Sequence, residues 1–148
     1  MYKYSFEEIK AKVQKSLSIL SINDSFLLKN NVAERAIAHK LGEYLQNLFP
    51  YYTVDCEYNR HGQNKKILSD KKVYPDIIIH ERGNNKNNLL VIEIKKDINE
   101  DINDFKKLSE FTRSGNDYKY HYGLFIHLNV DSAAKSLLRW FENGHEIK

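Results

Sequence analysis

Two runs decide how this chain folds: Val73-Tyr74-Pro75-Asp76-Ile77-Ile78-Ile79-His80 and Leu89-Leu90-Val91-Ile92-Glu93-Ile94-Lys95. Between them lies Arg82-Gly83-Asn84-Asn85-Lys86-Asn87-Asn88, a segment made of turn-forming residues. The spacing predicts a β-hairpin. Alternation puts Asp76, Ile78 and His80 on one face of the first strand, and Val91, Glu93 and Lys95 together on one face of the second. Both runs are apolar almost throughout, as befits central strands covered on two sides. A symmetric hairpin centred between Asn84 and Asn85 sets Asp76 opposite Glu93. Two carboxylates so placed repel unless a cation or a proton intervenes, which is a metal-site geometry.

Outward from the hairpin, the pattern predicts one mixed α/β domain in the order α-α-β-β-β-α-β-α. Ser5-Phe6-Glu7-Glu8 has capping-box spacing and precedes Ile9, Val13, Leu17 and Leu20 at helical intervals. Asn23-Asp24 ends that helix, and a second runs from near Asn31 to Phe49, stopped by Pro50. Tyr51 to Tyr58 reads as a strand, and polar, basic Asn59 to Lys72 as a long hairpin loop or ragged strand ends. After the hairpin, Asp97 to Arg113 reads as a helix carrying Ile102, Phe105 and Leu108. Tyr122 to Leu128 reads as a buried strand. A last helix is expected from Asp131 or Ser132, carrying Leu137, Leu138 and Phe141 and ended by Gly144.

The second helix adds another acid. At about 100° per residue, Ile37, Ala38, Leu41, Leu45 and Leu48 fall within roughly 60° of Glu34. Glu34 thus sits on the buried stripe, where an uncompensated carboxylate is costly. Asn31-Val32-Ala33-Glu34 also has capping-box spacing, so a second reading has Glu34 closing its own helix. That accounts for the spacing but not for the face.

Pro75-Asp76 followed by Glu93-Ile94-Lys95, on two adjacent strands, resembles the PD-(D/E)XK nuclease signature. An upstream helical acid such as Glu34 and the succession α-β-β-β-α-β are also similar to that family's restriction-endonuclease-like core. The resemblance covers about residues 31–128 and leaves helices at both ends as additions. The Gln-x-x-x-Tyr element of exonuclease-like branches is absent, since Ser114 precedes Tyr118 and Asn116 precedes Tyr120. The resemblance implies Mg²⁺- or Mn²⁺-dependent hydrolysis of phosphodiesters, in DNA ahead of RNA. It implies Asp76, Glu93 and the backbone carbonyl of Ile94 as metal ligands, Glu34 joining them through water or a second ion, and Lys95 orienting the attacking water. A double-strand cut by such a site calls for a homodimer. Three rival readings stand beside it: an ion-free buried Asp-Lys-Glu salt bridge, a non-catalytic nucleic-acid-binding or regulatory module on the same fold, and an enzyme of a different metal-assisted hydrolysis.

Composition bounds these readings. The 148 residues carry 23 Lys plus Arg, 20 Asp plus Glu, 41% hydrophobic and 29% charged residues. These are globular proportions for one domain. Residues 60–96 hold nine bases against four acids, which suits phosphate contact but also suits solvated loop lysines. A lone cysteine, Cys56, excludes an internal disulfide or a thiolate zinc cage and reads as a small core residue. No run reaches the ~18 apolar residues of a membrane span, and the start lacks signal-peptide character, so a cytoplasmic location is expected. The Tyr118–Tyr122 run reads as the lead into a strand more than as a base-stacking platform. His80 reads as a polar strand end. Asp55 and Glu57 share a face of the first strand, so either could approach the site.

Overall fold

In the computed structural model, the Ser5 hydroxyl accepts the Glu8 amide and the Glu8 carboxylate accepts the Ser5 amide. This reciprocal cap starts α1 (Phe6–Asn23). The structure describes residues 3–30, 33–57, 60–61, 64–65, 67–68, 71–72, 74–96, 102–115 and 118–147. A short α2 (Ser25–Lys29) and then α3 (Glu34–Leu48) follow α1. Next come β1 (Thr53–Cys56) and four two-residue strands, β2 (Arg60–His61), β3 (Asn64–Lys65), β4 (Ile67–Leu68) and β5 (Lys71–Lys72). The hairpin strands are β6 (Ile77–His80) and β7 (Leu90–Lys95). The chain ends with α4 (Ile102–Thr112), β8 (Tyr122–His127), a 3-10 turn at Ala133–Lys135, β9 (Leu137–Glu142) and β10 (His145–Ile147).

Six strands form one mixed sheet in the order β1-β6-β7-β8-β9-β10, and β2/β3 and β4/β5 form separate two-stranded ladders. Among the described residues, β7 and β8 pair in parallel and the other neighbours in the sheet pair antiparallel. A parallel pair needs a crossover, and α4 lies in it. Strand alternation then sorts the core into two layers. Ile77, Ile79, Leu90, Ile92, Ile94, Leu124 and Ile126 pack with Ile9, Val13, Leu17 of α1 and Ile37, Leu41, Leu45 of α3. On the opposite face, Ile78, Val91, Phe125 and Phe141 pack with Leu108 and Phe111 of α4. Gly123 lets α4 close on β8, because a Cβ there would come within 3.2 Å of the Thr112 side chain and 3.3 Å of Leu108.

The expected last helix is wrong. Leu137–Glu142 is a strand paired antiparallel with β8, and β10 folds back onto it with His145 opposite Glu142. Asn143 and Gly144 both take positive φ, 52° and 83°, as a two-residue hairpin turn whose twist matches its strands requires. The Asn-Gly pair is therefore a turn between strands, and the C-terminal addition widens the sheet. The helix α2 was not expected. The proposed helix starts at Asn31 and Asp97 lie outside the described residues.

Candidate active site at the end of β7

Ile78 faces Val91 and Ile77 faces Ile92. One step further, the same register sets Asp76 opposite Glu93, on the face that α4 covers. Glu93 is buried and Asp76 half-buried. The two carboxyls lie within hydrogen-bond reach of each other. Burial raises the Asp76 carboxyl above its ordinary range, although the Ile94 amide works against the rise. Burial, and then the neighbouring Asp76 charge, push Glu93 well above its own.

Strand β7 outlasts β6, and carboxylates complete its edge. The Ile94 amide donates to Asp76 Oδ2 at 2.8 Å, and the Lys96 amide donates to Glu34 Oε2 at 2.7 Å. Alternate amides of a strand point the same way, so both carboxylates accept along one side of β7, where β6 has ended. Ala33 caps α3 without a side-chain bond, and the Glu34 carboxylate spans to the sheet instead of closing its own helix. Glu34 is half-buried. Among the described residues its bond is to the Lys96 amide, one residue past β7, and not to Asp76 or Glu93.

Helix α4 contributes two side chains that sequence reasoning missed. Asp104 is only 3% exposed. Its Oδ1 lies 2.9 Å from Lys107 Nζ and its Oδ2 3.8 Å from Lys95 Nζ. Lys107 Nζ is also 3.4 Å from Glu93 Oε1. Burial alone would lower the Lys107 ammonium's pKa, but the Glu93 and Asp104 carboxylates more than reverse that and raise it. Both lysine side chains are about one-third exposed, at 34%. Lys95, the expected partner of the hairpin acids, is paired here with Asp104. The signal for Asp104 was available. At about 100° per residue it lies within roughly 40° of Leu108 and 20° of Phe111, the buried stripe of its helix.

Other candidates are drawn elsewhere. His80, buried, pairs its Nε2 with Asp55 Oδ2 at 2.8 Å, and Arg82 Nε donates to the same oxygen at 2.9 Å. Burial would raise the Asp55 carboxyl, but the Arg82 and His80 hydrogen bonds hold it well below its usual range. Glu57 pairs with Arg35 at 3.1 Å. Tyr118 and Tyr120 are buried edge-on against Phe111, which makes them core and not a stacking platform. Cys56 is surface-exposed, contrary to the core reading, though its Sγ points at the Ala38 carbonyl. Partial burial of the thiol and the charges of Asp55, Asp76 and Glu57 push it up to about 11, which disfavours the thiolate at neutral pH.

The site gathers the donor type that a hard cation takes. Its donors are all oxygens, and the buried Oε1 of Glu93 and Oδ2 of Asp104 lack a well-formed hydrogen bond. Among the described residues, no group of three or more His, Cys, Asp or Glu stands in metal-holding geometry. An ion such as Mg²⁺ is commonly held by one or two carboxylates with waters completing its shell. Among the described residues, no helix is long and apolar enough to cross a membrane. No family model, no curated protein and no solved structure matches this chain.

Proposed function

We propose that this protein is a metal-dependent nuclease with a restriction-endonuclease-like core, hydrolysing phosphodiester bonds in DNA ahead of RNA. The observation that carries the reading is the opposition of Asp76 and Glu93 on a buried face, both pushed toward the protonated form, beside two ammonium groups. Buried carboxylates with strongly perturbed titration cluster at functional sites. Asp76 and Glu93, with the Ile94 carbonyl, would hold Mg²⁺ or Mn²⁺. Such an ion supplies polarisation of a phosphate oxygen and a more acidic water.

The chain's own groups account for the remainder. Lys95 extends from the Glu93 face with its head partly in solvent, where it orients the attacking water and offsets charge gathering on the phosphate oxygens. Glu34 and Asp76 fix the backbone from Ile94 to Lys96, and so fix where Glu93 and Lys95 project. The test is Mg²⁺- or Mn²⁺-dependent cleavage of plasmid and single-stranded DNA, set against RNA, with Glu93→Ala and Lys95→Ala as controls. Cleavage lost in both variants supports the reading. No cleavage by the wild type with any divalent ion overturns it.

The Lys107–Glu93 pair favours a second reading, a non-catalytic nucleic-acid-binding module in which an ammonium permanently balances the acids. Salt-sensitive DNA binding without cleavage is its expected result.

A further inference from the structure

Resting on the nuclease reading, we propose that Lys107, tethered to Asp104, is a built-in counter-cation for Glu93 that a divalent ion must displace. The Asp104–Lys107 pair thereby sets the affinity of the site for its ion.

The geometry divides the two contacts of Lys107. Its 2.9 Å approach to Asp104 is a charge-assisted hydrogen-bond distance between residues one helical turn apart. Its 3.4 Å approach to Glu93 is longer, and Glu93 Oε1 lacks a well-formed hydrogen bond. The first contact is the anchor and the second is the one given up. Asp104 is buried, so the anchor is fixed in the packed face of α4 beside Leu108 and Phe111. Lys107 is one-third exposed and has solvent to turn into without unpacking the core.

Charge argues the same way. Asp76, Glu93 and Asp104 bring three carboxyls against the two ammonium groups of Lys95 and Lys107. Among the described residues, with all three carboxyls ionised and no metal bound, the balance is one positive charge short. A divalent ion beside Glu93 overshoots it by one, and repulsion then falls on Lys107, the ammonium that stands on Glu93. Lys107 is a positioning residue on this view. It keeps Glu93 from collapsing onto other partners before the ion arrives, and it then moves aside while still held by Asp104.

The test is Mn²⁺ binding to the full-length protein without nucleic acid, followed by electron paramagnetic resonance, with thermal melts in EDTA to verify folding. Lys107→Met and Lys107→Gln are expected to bind Mn²⁺ about tenfold more tightly than wild type, the order of effect for removing one competing, partly buried charge. Lys107→Arg, which keeps the cation, is expected to stay near wild type. Lys107→Gln keeps a hydrogen bond to Asp104 and covers the case in which Lys107→Met fails to fold. Tighter binding in either neutral variant, including binding that appears only there, supports the proposal. Unchanged or weaker binding in a folded neutral variant, with wild type still binding, overturns the counter-cation role and leaves the nuclease reading intact. Absence of Mn²⁺ binding in wild type and in every variant overturns both.

Discussion

Lys107 Nζ stands 3.4 Å from Glu93 Oε1, so a helix-borne ammonium meets the buried acid at the open end of the hairpin. The ammonium does not fully offset the cost of ionising Glu93, whose carboxyl remains raised well above its ordinary range. A group raised in the folded state contributes stability at low pH that is lost as pH climbs through its folded value. Glu93→Gln removes that loss. In EDTA at pH 7–8 this variant is expected to be more stable than wild type, by roughly 1 kcal/mol or more. The stabilisation that Mg²⁺ or Mn²⁺ gives the wild type is expected to vanish. Differential scanning calorimetry with and without the ion reads both effects.

Glu34 separates support from chemistry. Glu34→Gln retains an oxygen able to accept the Lys96 amide, whereas Glu34→Ala leaves that amide unmet. Glu34→Ala is expected to cost about 1–3 kcal/mol, as for loss of a hydrogen bond to a charged group, and Glu34→Gln less. Urea titration checks the difference. Activity lost in Glu34→Gln at near-native stability assigns the charge to catalysis.

Lys95 is partly exposed, and its removal is expected to leave the fold intact. Lys95→Ala should lower the single-turnover cleavage rate about 10²–10³-fold, the range for loss of a charge-stabilising donor. Circular dichroism and Mn²⁺ affinity should change little. A rate within a few-fold of wild type removes Lys95 from the mechanism.

Asp55 controls acid stability at the other end of the hairpin. Its carboxyl is held below the ordinary value of 3.8, so its contribution is present at neutral pH and lost as pH falls through the folded value. Wild type is expected to lose melting temperature from about pH 5 downward more steeply than Asp55→Asn. At pH 7, Asp55→Asn is expected to be the less stable protein, by about 2 kcal/mol.

Gly144 tests the C-terminal hairpin. Its φ of +83° suits glycine, and an added Cβ would come within 3.3 Å of the Arg113 side chain. Gly144→Ala is expected to cost about 1–2 kcal/mol, seen as a fall of several degrees in Tm. A helical C-terminus would be stabilised by the same change.

Which parts of this architecture could be read in advance follows from the range of the forces involved. The β6–β7 register and the shared face of Asp76 and Glu93 follow from period-two alternation about a central turn, a local property. Glu34 stands out as a polar residue on an apolar helix stripe. Asp104 stands out in the same way on the stripe of Leu108 and Phe111 in α4. The pairing of Lys95 with Asp104 and of Lys107 with Glu93 depends on how α4 docks over β7, which no local pattern encodes. Leu137, Leu138 and Phe141 fit a short helix as well as a strand, so their spacing alone does not decide the C-terminal element. Asn143-Gly144, two residues with positive φ between apolar runs, was the feature that distinguished them.

The bonds that close the end of β7 join residues 18 and 62 positions apart along the chain. Contacts of the longer kind form only after a large loop has been drawn together, whereas α1, α3 and α4 need neighbours only a turn away. A refolding molecule therefore regains its helical ellipticity before it regains a competent acid cluster. Ion binding that lags behind the recovery of far-ultraviolet ellipticity is the kinetic trace this arrangement leaves.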